Sequence, residues 1–268
     1  MADRGGASLF TIALNRAFAD ALAAGIIDRH GADPMAMARG LILLPNNRAV
    51  TAVRDAFVRI AGGALLLPRL LALGDGDLEE SAGAALDRLD YAGGASGADG
   101  DNPRAPLPPP IAPMRRLFTL AQMVRDERPD LTVLESVQLA TTLAQVLDQL
   151  AIEEVPFAEL TSHGLDDEMA SHWESASTLL SLVGREWPAR LRAMGVMDRA
   201  DMRNHILHRT ADMWREKGLP APFVIAAGIT TSAPAVARLL SVIARAPGGH
   251  VVLPHTDINM PADEWDAL

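Results

Sequence analysis

The stretch LILLPNNRAVTAVRDAF, residues 41–57, decides the fold class of this chain. It opens on an apolar run that ends at Leu44, and such a run is typical of a parallel strand covered on both faces. After a short polar turn, Val50, Val53 and Phe57 recur at the spacing of one face of an amphipathic helix. A buried strand followed at once by such a helix predicts an α/β unit.

The same alternation of strand and helix occurs on both sides of this stretch. The sequence predicts further strands over residues 9–14, 64–68, 223–227 and 250–253, and further helices over residues 16–29 and 233–245. Alternating strands and helices are the pattern of a doubly wound parallel sheet. We therefore predict an α/β fold in which both ends of the chain contribute to one sheet.

The middle of the chain follows a different pattern. Residues 111–218 have helical periodicity throughout, and residues 74–110 before them are rich in Gly, Asp, Ala and Pro. The predicted helices of this middle part span residues 112–127, 133–152, 167–194 and 198–217. We predict an α/β domain from residues 1–73 and 219–268, a flexible linker over 74–110, and an inserted all-helical subdomain over 111–218.

Composition excludes several kinds of chemistry. The chain has no cysteine, so these 268 residues hold no disulfide, thiolate metal site or iron–sulfur cluster. Lys217 is the only lysine, which excludes mechanisms that need a lysine in the first 216 residues. The sequence has no apolar run long enough to span a membrane and does not begin like a secretory signal. We expect a cytoplasmic protein without a membrane partner.

The net charge of −10 argues against strong binding of nucleic acid by the chain alone, because phosphate neutralisation dominates such affinity. The charge is unevenly distributed, however. Residues 148–174 carry eight acidic residues and no lysine or arginine. Residues 1–73 carry eight arginines against five acidic residues, a net charge of +3. The amino-terminal part of the predicted sheet is therefore mildly basic.

The turn after the first predicted strand lacks the groups of a nucleotide site. A phosphate-binding loop needs glycines, whose backbone wraps the phosphates, and a lysine that reaches them. The turn here is Leu14-Asn15-Arg16. Arg16 can attract a phosphate, and Asn15 is a candidate cap for the following helix. A later strand ends at Ala227, where a magnesium-binding acid would be expected. We interpret Asn15 and Arg16 as a degenerate nucleotide site.

The best candidate for anion binding is the turn from Gly228 to Ser232. Gly228 allows a left-handed backbone, and Thr230, Thr231 and Ser232 cluster three hydroxyls before the N-terminus of a predicted helix. Such a turn can contact a phosphate or a DNA backbone. The alternative is that Ser232 simply caps the helix.

A second candidate is the turn after the strand that ends at Leu44. Asn46, Asn47 and Arg48 leave this strand, and Thr51 follows in the first turn of the next helix. Ligands of parallel sheets usually bind at the carboxyl ends of the strands. These residues are therefore candidates for polar contacts with a nucleic-acid strand, unless Asn46 or Asn47 serves only as the helix cap.

No catalytic or metal-binding motif is present. The sequence lacks the signatures of serine hydrolases, zinc proteases and dinucleotide-binding enzymes. His205 and His208 lie three residues apart on a predicted helix, which would let them share a metal ion, but no third ligand is evident. We predict no catalytic residue and no metal site in this chain.

Several segments in collinear order resemble the AddB family, the partner subunits of AddA in bacterial helicase–nuclease complexes. They include FTIALNRAFADALAAGII (residues 10–27), LILLPNNRAVTAVRDAFV (41–58) and VIAAGITTSAPAVARLLSVIARAPGGHVVLP (224–254). The similarity is to the alphaproteobacterial type and extends over essentially the whole chain. It is carried by the order of these segments, since none of them is a catalytic signature.

The resemblance implies that the α/β part is a RecA-like first subdomain of a superfamily 1-like helicase region. LLPNNRA would then occupy the place of a motif that touches single-stranded DNA, and GITTSAPA would follow the strand whose Walker B acid is replaced by Ala227. The implied function is DNA double-strand break repair and recombination, as a non-motor, DNA-tracking and AddA-binding region. The implied partners are AddA and the single-stranded tail of a processed break.

The resemblance also implies domains that these residues do not contain. AddB subunits carry a second helicase-like half and a C-terminal nuclease domain with an iron–sulfur cluster and Mg²⁺. We therefore expect this chain to be a fragment of such a subunit, with no cofactor of its own. Two alternatives stay open: a stand-alone α/β enzyme that binds a small anion at residues 228–232, and a purely structural docking module for AddA.

Overall fold

The computed structural model describes residues 6–73, 107–156 and 184–256 of the chain. The strands are β1 (Leu9–Ile12), β2 (Leu41–Leu44), β3 (Arg69–Ala72), β4 (Val224–Ala227) and β5 (Gly249–Pro254). The helices are α1 (Phe18–His30), α2 (Pro34–Arg39), α3 (Asn47–Ala61), α4 (Pro113–Glu127), α5 (Val133–Ile152), α6 (described over 184–194), α7 (Arg199–Lys217) and α8 (Pro234–Arg245).

The chain divides into two compact units. The sheet unit comprises Met1–Ala95, Arg209–Thr231 and Ala237–Leu268. The helical unit comprises Ser96–His208 and Ser232–Val236. Most of the predicted linker, residues 74–106, lies outside the described residues, as does the predicted helix up to residue 183.

The sheet unit contains five parallel strands in the order β1-β5-β4-β2-β3. This sheet confirms the predicted α/β fold class with a RecA-like parallel sheet and helical elements. β4 and β5, which follow the helical middle of the chain, lie between β1 and β2, so both ends of the chain contribute to one sheet. Because the strands are parallel, all their carboxyl ends meet at one edge.

The two central strands are buried along their whole length. Every residue of β2 and of β4 is at most 4% exposed. Aliphatic runs form such strands because apolar side chains point to both faces of the sheet and both faces are covered. One core cluster combines helix residues Leu22, Ile26, Val53 and Phe57 with sheet residues Ile42, Leu44, Ile225 and Ala227.

The third strand lies at Arg69–Ala72, so the prediction of a strand over residues 64–68 is wrong. Both halves of LLLPRLLA (residues 65–72) are apolar, but only the second half pairs with β2. The Arg69 N–H donates to the Gly40 carbonyl oxygen at 2.9 Å, whereas Pro68 has no N–H to donate. Leu66, in the predicted strand, is 50% exposed.

Helix α2 was not predicted. Asp33 is its N-cap, and the carboxylate accepts hydrogen bonds from the Met35 and Ala36 N–H groups at 2.9 and 3.0 Å. Pro34 occupies the first helical position, where its missing N–H costs nothing. No element was predicted between residues 29 and 41, so this short helix was overlooked.

The amino edge of the sheet is packed around Phe223, the residue before β4. A Cβ atom at Gly40 would lie 2.0 Å from Cζ of the Phe223 ring, so this position has no room for a side chain. The ring of His30, the last residue of α1, stacks on Phe223 with centroids 3.9 Å apart. At the same edge, Ser8 Oγ and His250 Nδ1 are 2.7 Å apart.

The helical unit has an apolar core in which α4 and α5 pack together. Helix α5 begins with a capping box: Thr132 Oγ1 accepts from the Glu135 N–H at 3.3 Å, and Glu135 Oε2 accepts from the Thr132 N–H at 2.8 Å. The buried residues of this core include Leu120, Val124, Ala140, Leu143 and Trp187.

An ion network crosses the helical unit. Arg116 of α4 donates to the Asp148 and Asp198 carboxylates, with both nitrogen–oxygen distances 3.0 Å. The Trp187 indole N–H donates to Asp198 at 2.8 Å. Asp198 is only 4% exposed, and a buried carboxylate is stable only with partners of this kind.

Candidate nucleic-acid interface

The turns that follow β2 and β4 lie side by side at the carboxyl edge of the sheet. The two strands are neighbours, with Leu43 opposite Ala226. Beyond their ends, a Cβ atom added to Gly228 would lie 3.8 Å from Cδ of Pro45, an ordinary van der Waals contact. The fold therefore brings together two polar turns that are far apart in sequence and that were each a candidate for contact with phosphate or DNA.

The turn after β2 divides its polar residues between the helix and the surface. Asn46 is the N-cap of α3, and its Oδ1 accepts from the Ala49 N–H at 2.9 Å. The Thr51 hydroxyl donates to the Asn47 carbonyl oxygen at 3.1 Å. Asn47, Arg48 and Thr51 are exposed. The Asn46 side chain thus serves the helix, and the other three residues present polar groups at the surface, beside a helix N-terminus that favours anions.

The turn after β4 starts at Gly228, which has the left-handed backbone expected of it (φ 70°). Its N–H donates to the Val252 carbonyl oxygen at 2.9 Å and so belongs to the sheet. The hydroxyl-bearing residues Thr230, Thr231 and Ser232 are exposed. Helix α8 begins at the second residue after Ser232. The glycine amide is therefore engaged in the sheet, and the exposed residues of this turn carry side-chain hydroxyls.

The turn after β1 is short. The Arg16 N–H donates to the Ala13 carbonyl oxygen at 3.1 Å, and α1 begins at Phe18 with Ala17 as an N-cap that makes no side-chain bond. The prediction that Asn15 caps this helix is wrong, because the helix starts later than expected and Asn15 lies two residues before the N-cap. Asn15 and Arg16 are both exposed.

The aromatic ring of Phe18, the first residue of α1, lies against the turn after β4. A Cβ atom on Gly228 would meet Cε1 of Phe18 at 3.2 Å and Cζ at 3.4 Å. In nucleotide-binding sheets of this kind, backbone amides of the first strand-to-helix turn face the phosphates. The Phe18 ring offers no hydrogen bond to an anion. The turn after β1 also has neither the glycines nor the lysine of a phosphate-binding loop.

The end of β5 lies between the turns after β1 and β4. His255 has a left-handed backbone (φ 57°), which is uncommon for a residue with a side chain. Its N–H donates to the Ile12 carbonyl oxygen, and the Thr256 N–H donates to Thr11 Oγ1, both at 3.0 Å. His255 is exposed at this edge. Sequence reasoning missed it, because its conformation depends on the pairing of β5 with β1.

The two histidines considered for a metal line a pocket of about 290 Å³ in the helical unit. His208 pairs with the carboxylate of Glu154, which has a left-handed backbone (φ 54°). Asp201 also lines the pocket, and burial, followed by the charge of Asp198, raises the pKa of Asp201. Although His205 lies here too, no group of His, Asp and Glu in the described part of the chain is arranged to hold a metal ion.

The chain matches no family model, and no curated protein matches its sequence. No helix within the described residues is long and apolar enough to cross a membrane.

Proposed function

We propose that this chain is the N-terminal, helicase-like part of an AddB-type subunit that acts in DNA double-strand break repair and recombination. It guides the single-stranded tail of a processed break without powering its movement. The observation that carries the proposal is the side-by-side position of two exposed polar turns at the carboxyl edge, next to a first turn that lacks the glycines and lysine of a nucleotide-binding loop.

The groups at this edge suit a DNA backbone. The hydroxyls of Thr230 and Thr231, the Asn47 amide and the Arg48 guanidinium are of the types that contact phosphate oxygens. They follow strand ends at the edge where ligands of parallel sheets usually bind. Residues 1–73 carry a net charge of +3, which supports an anionic ligand even though the whole chain carries −10.

The proposal assigns this chain a tracking role and leaves chemistry to other parts of the assembly. AddA is the proposed protein partner, and the assembly is placed in the cytoplasm. Strand cleavage belongs to the nuclease domain of AddB subunits, with its iron–sulfur cluster and Mg²⁺, which these 268 residues do not include. The chain itself needs no cofactor to hold a DNA strand.

Fluorescence anisotropy with a labelled single-stranded oligothymidylate tests the proposal. The Arg48→Gln/Thr231→Ala double variant should lose about tenfold in affinity, equivalent to about 1.4 kcal/mol, because it removes one charged and one neutral phosphate contact. Arg69→Gln is the matched control, since Arg69 is exposed at the start of β3, on the opposite edge. Unchanged binding by the double variant would show that the proposed site is wrong.

The same titration separates the two alternatives. A docking module for AddA predicts that the wild-type chain does not bind the oligonucleotide at all. A stand-alone enzyme predicts stabilisation by a small anion at residues 228–232 and indifference to DNA. That enzyme is less well supported, because the Gly228 N–H is bonded to Val252 and the Phe18 ring packs against the same glycine.

A further inference from the structure

Exposed polar residues follow the carboxyl ends of four neighbouring strands. In sheet order these are Arg16 after β1, His255 after β5, Thr230 after β4 and Arg48 after β2. All four belong to the sheet unit. The carboxyl ends of parallel strands share one edge, so these residues form a row across it and not four separate sites.

The two arginines stand at the ends of this row. Neither Arg16 nor Arg48 forms an ion pair with a residue that the structure describes. Neighbouring strands are about 4.8 Å apart, so the three intervals from β2 to β1 span about 14 Å. At the rise of about 3.4 Å per nucleotide of one strand in duplex DNA, that span corresponds to about four nucleotides, and to fewer in a stretched strand.

The first turn has no room for a phosphate on the side that faces Gly228. The Phe18 ring occupies the space against Gly228, and the Arg16 backbone is held in a tight turn by its bond to Ala13. An anion at Arg16 would therefore lie at the exposed rim of the edge. His255, which follows β5, is exposed between that rim and the turn after β4 in the order of the strands.

We infer that Arg16 is a DNA-contacting residue and that the strand path crosses four strand ends, from Arg48 to Arg16. This inference rests on the proposed function and deepens it. The first turn, read from the sequence as a degenerate nucleotide site, becomes the outer end of the path of a single-stranded DNA backbone. The Arg16 guanidinium neutralises one phosphate, independently of the phosphate at Arg48.

The salt dependence of binding tests this inference, because it counts phosphate neutralisation. Each arginine that neutralises one phosphate of single-stranded DNA contributes about 0.7 to the slope of log affinity against log salt. We would measure that slope for the full chain with an oligothymidylate long enough to cover the row. The variants are Arg16→Gln, Arg48→Gln, the double variant and the opposite-edge control Arg69→Gln.

We expect each single change at the carboxyl edge to reduce the slope by about 0.7 and the double variant by about 1.4. The control should keep the wild-type slope. All of the changed residues are exposed, and circular dichroism and thermal unfolding would verify that each variant folds. An oligonucleotide of two nucleotides is too short to reach both arginines. With it, the reduction in slope for the double variant should not be the sum of the two single reductions.

The outcomes distinguish the inference from the proposed function. If Arg48→Gln lowers the slope and Arg16→Gln does not, the four-strand path is wrong and the proposed function stands. If neither variant differs in slope from Arg69→Gln, or if the wild-type chain does not bind the oligonucleotide, the inference and the proposed function are both wrong. If Arg16→Gln instead weakens only the association with AddA, Arg16 belongs to a protein interface and the inference is overturned.

Discussion

The two edges of the sheet are built in opposite ways. At the amino edge, Phe223 fits against Gly40 and stacks on His30, while Ser8 and His250 are in contact. At the carboxyl edge, polar residues are exposed along four strand ends, namely Arg16, His255, Thr230 and Arg48. The amino edge thus uses these side chains for packing, whereas the carboxyl edge leaves these four exposed.

This difference separates stability from binding. A change at the amino edge should alter the free energy of unfolding, because it disturbs packed rings. A change of an exposed residue at the carboxyl edge should leave that free energy within about 0.5 kcal/mol and alter binding instead.

Gly40→Ala should destabilise the protein by about 3 kcal/mol, because the new Cβ would lie 2.0 Å from the buried Phe223 ring. Urea denaturation measures the change. Gly63→Ala is the matched control, since a Cβ there meets nothing within 4 Å, and it should be nearly neutral. Equal stability of the two variants would contradict the tight packing of the amino edge.

Phe18→Ala should cost about 2 kcal/mol, less than the loss of a fully buried phenylalanine, because Phe18 is only half-buried against Gly228. Removing the ring should not create ATP binding, since the turn still lacks glycines and a lysine. Phe118→Ala serves as the control, because Phe118 is 57% exposed. ATP binding by Phe18→Ala, measured by calorimetry, would show that the ring merely hides a working site.

Asn46→Ala should lower the free energy of unfolding by about 1 kcal/mol, because it removes the side-chain cap of α3. Its effect on binding of an oligonucleotide should be smaller than that of Arg48→Gln, since the Asn46 Oδ1 is engaged by the Ala49 N–H. A larger loss of affinity for Asn46→Ala at unchanged stability would mean that Asn46 contacts DNA and does not act as a cap.

Acid should weaken the amino edge. Burial, and then the charge of Arg29, lower the pKa of His30 and of His250, and His30 lowers that of His250 further. In the unfolded chain both histidines have their ordinary pKa near 6.5. As pH falls past this value, the unfolded chain therefore takes up protons more readily than the folded chain does. Stability should therefore fall between pH 7.5 and pH 5.5, and His250→Asn should show a smaller fall. An equal fall in both proteins would exclude His250 as a cause.

Much of the fold could be predicted because local sequence and burial agree. The aliphatic runs of β2 and β4 predicted buried parallel strands, and both are fully buried. The placement of two polar turns at one edge followed from the rule that parallel strands share their carboxyl ends. The exact position of the third strand could not be predicted, since both halves of LLLPRLLA are apolar and only pairing with β2 distinguishes them.

Other parts of the structure depend on contacts between distant residues. Phe18 meets Gly228 only because β4 enters the sheet from the far end of the chain. Glu154 and His208 are 54 residues apart, and the helical periodicity of the sequence does not predict that they pair. The left-handed His255 likewise donates its N–H to Ile12, 243 residues earlier in the chain.

The most direct test of the central claim is to titrate the wild-type chain with a single-stranded oligonucleotide in the presence and absence of ATP and Mg²⁺. We predict binding whose affinity falls with salt and does not change when ATP is added, because the carboxyl edge contacts a DNA backbone and the first turn holds no nucleotide. An affinity that depends on ATP, or no binding of DNA at low salt, would contradict the account.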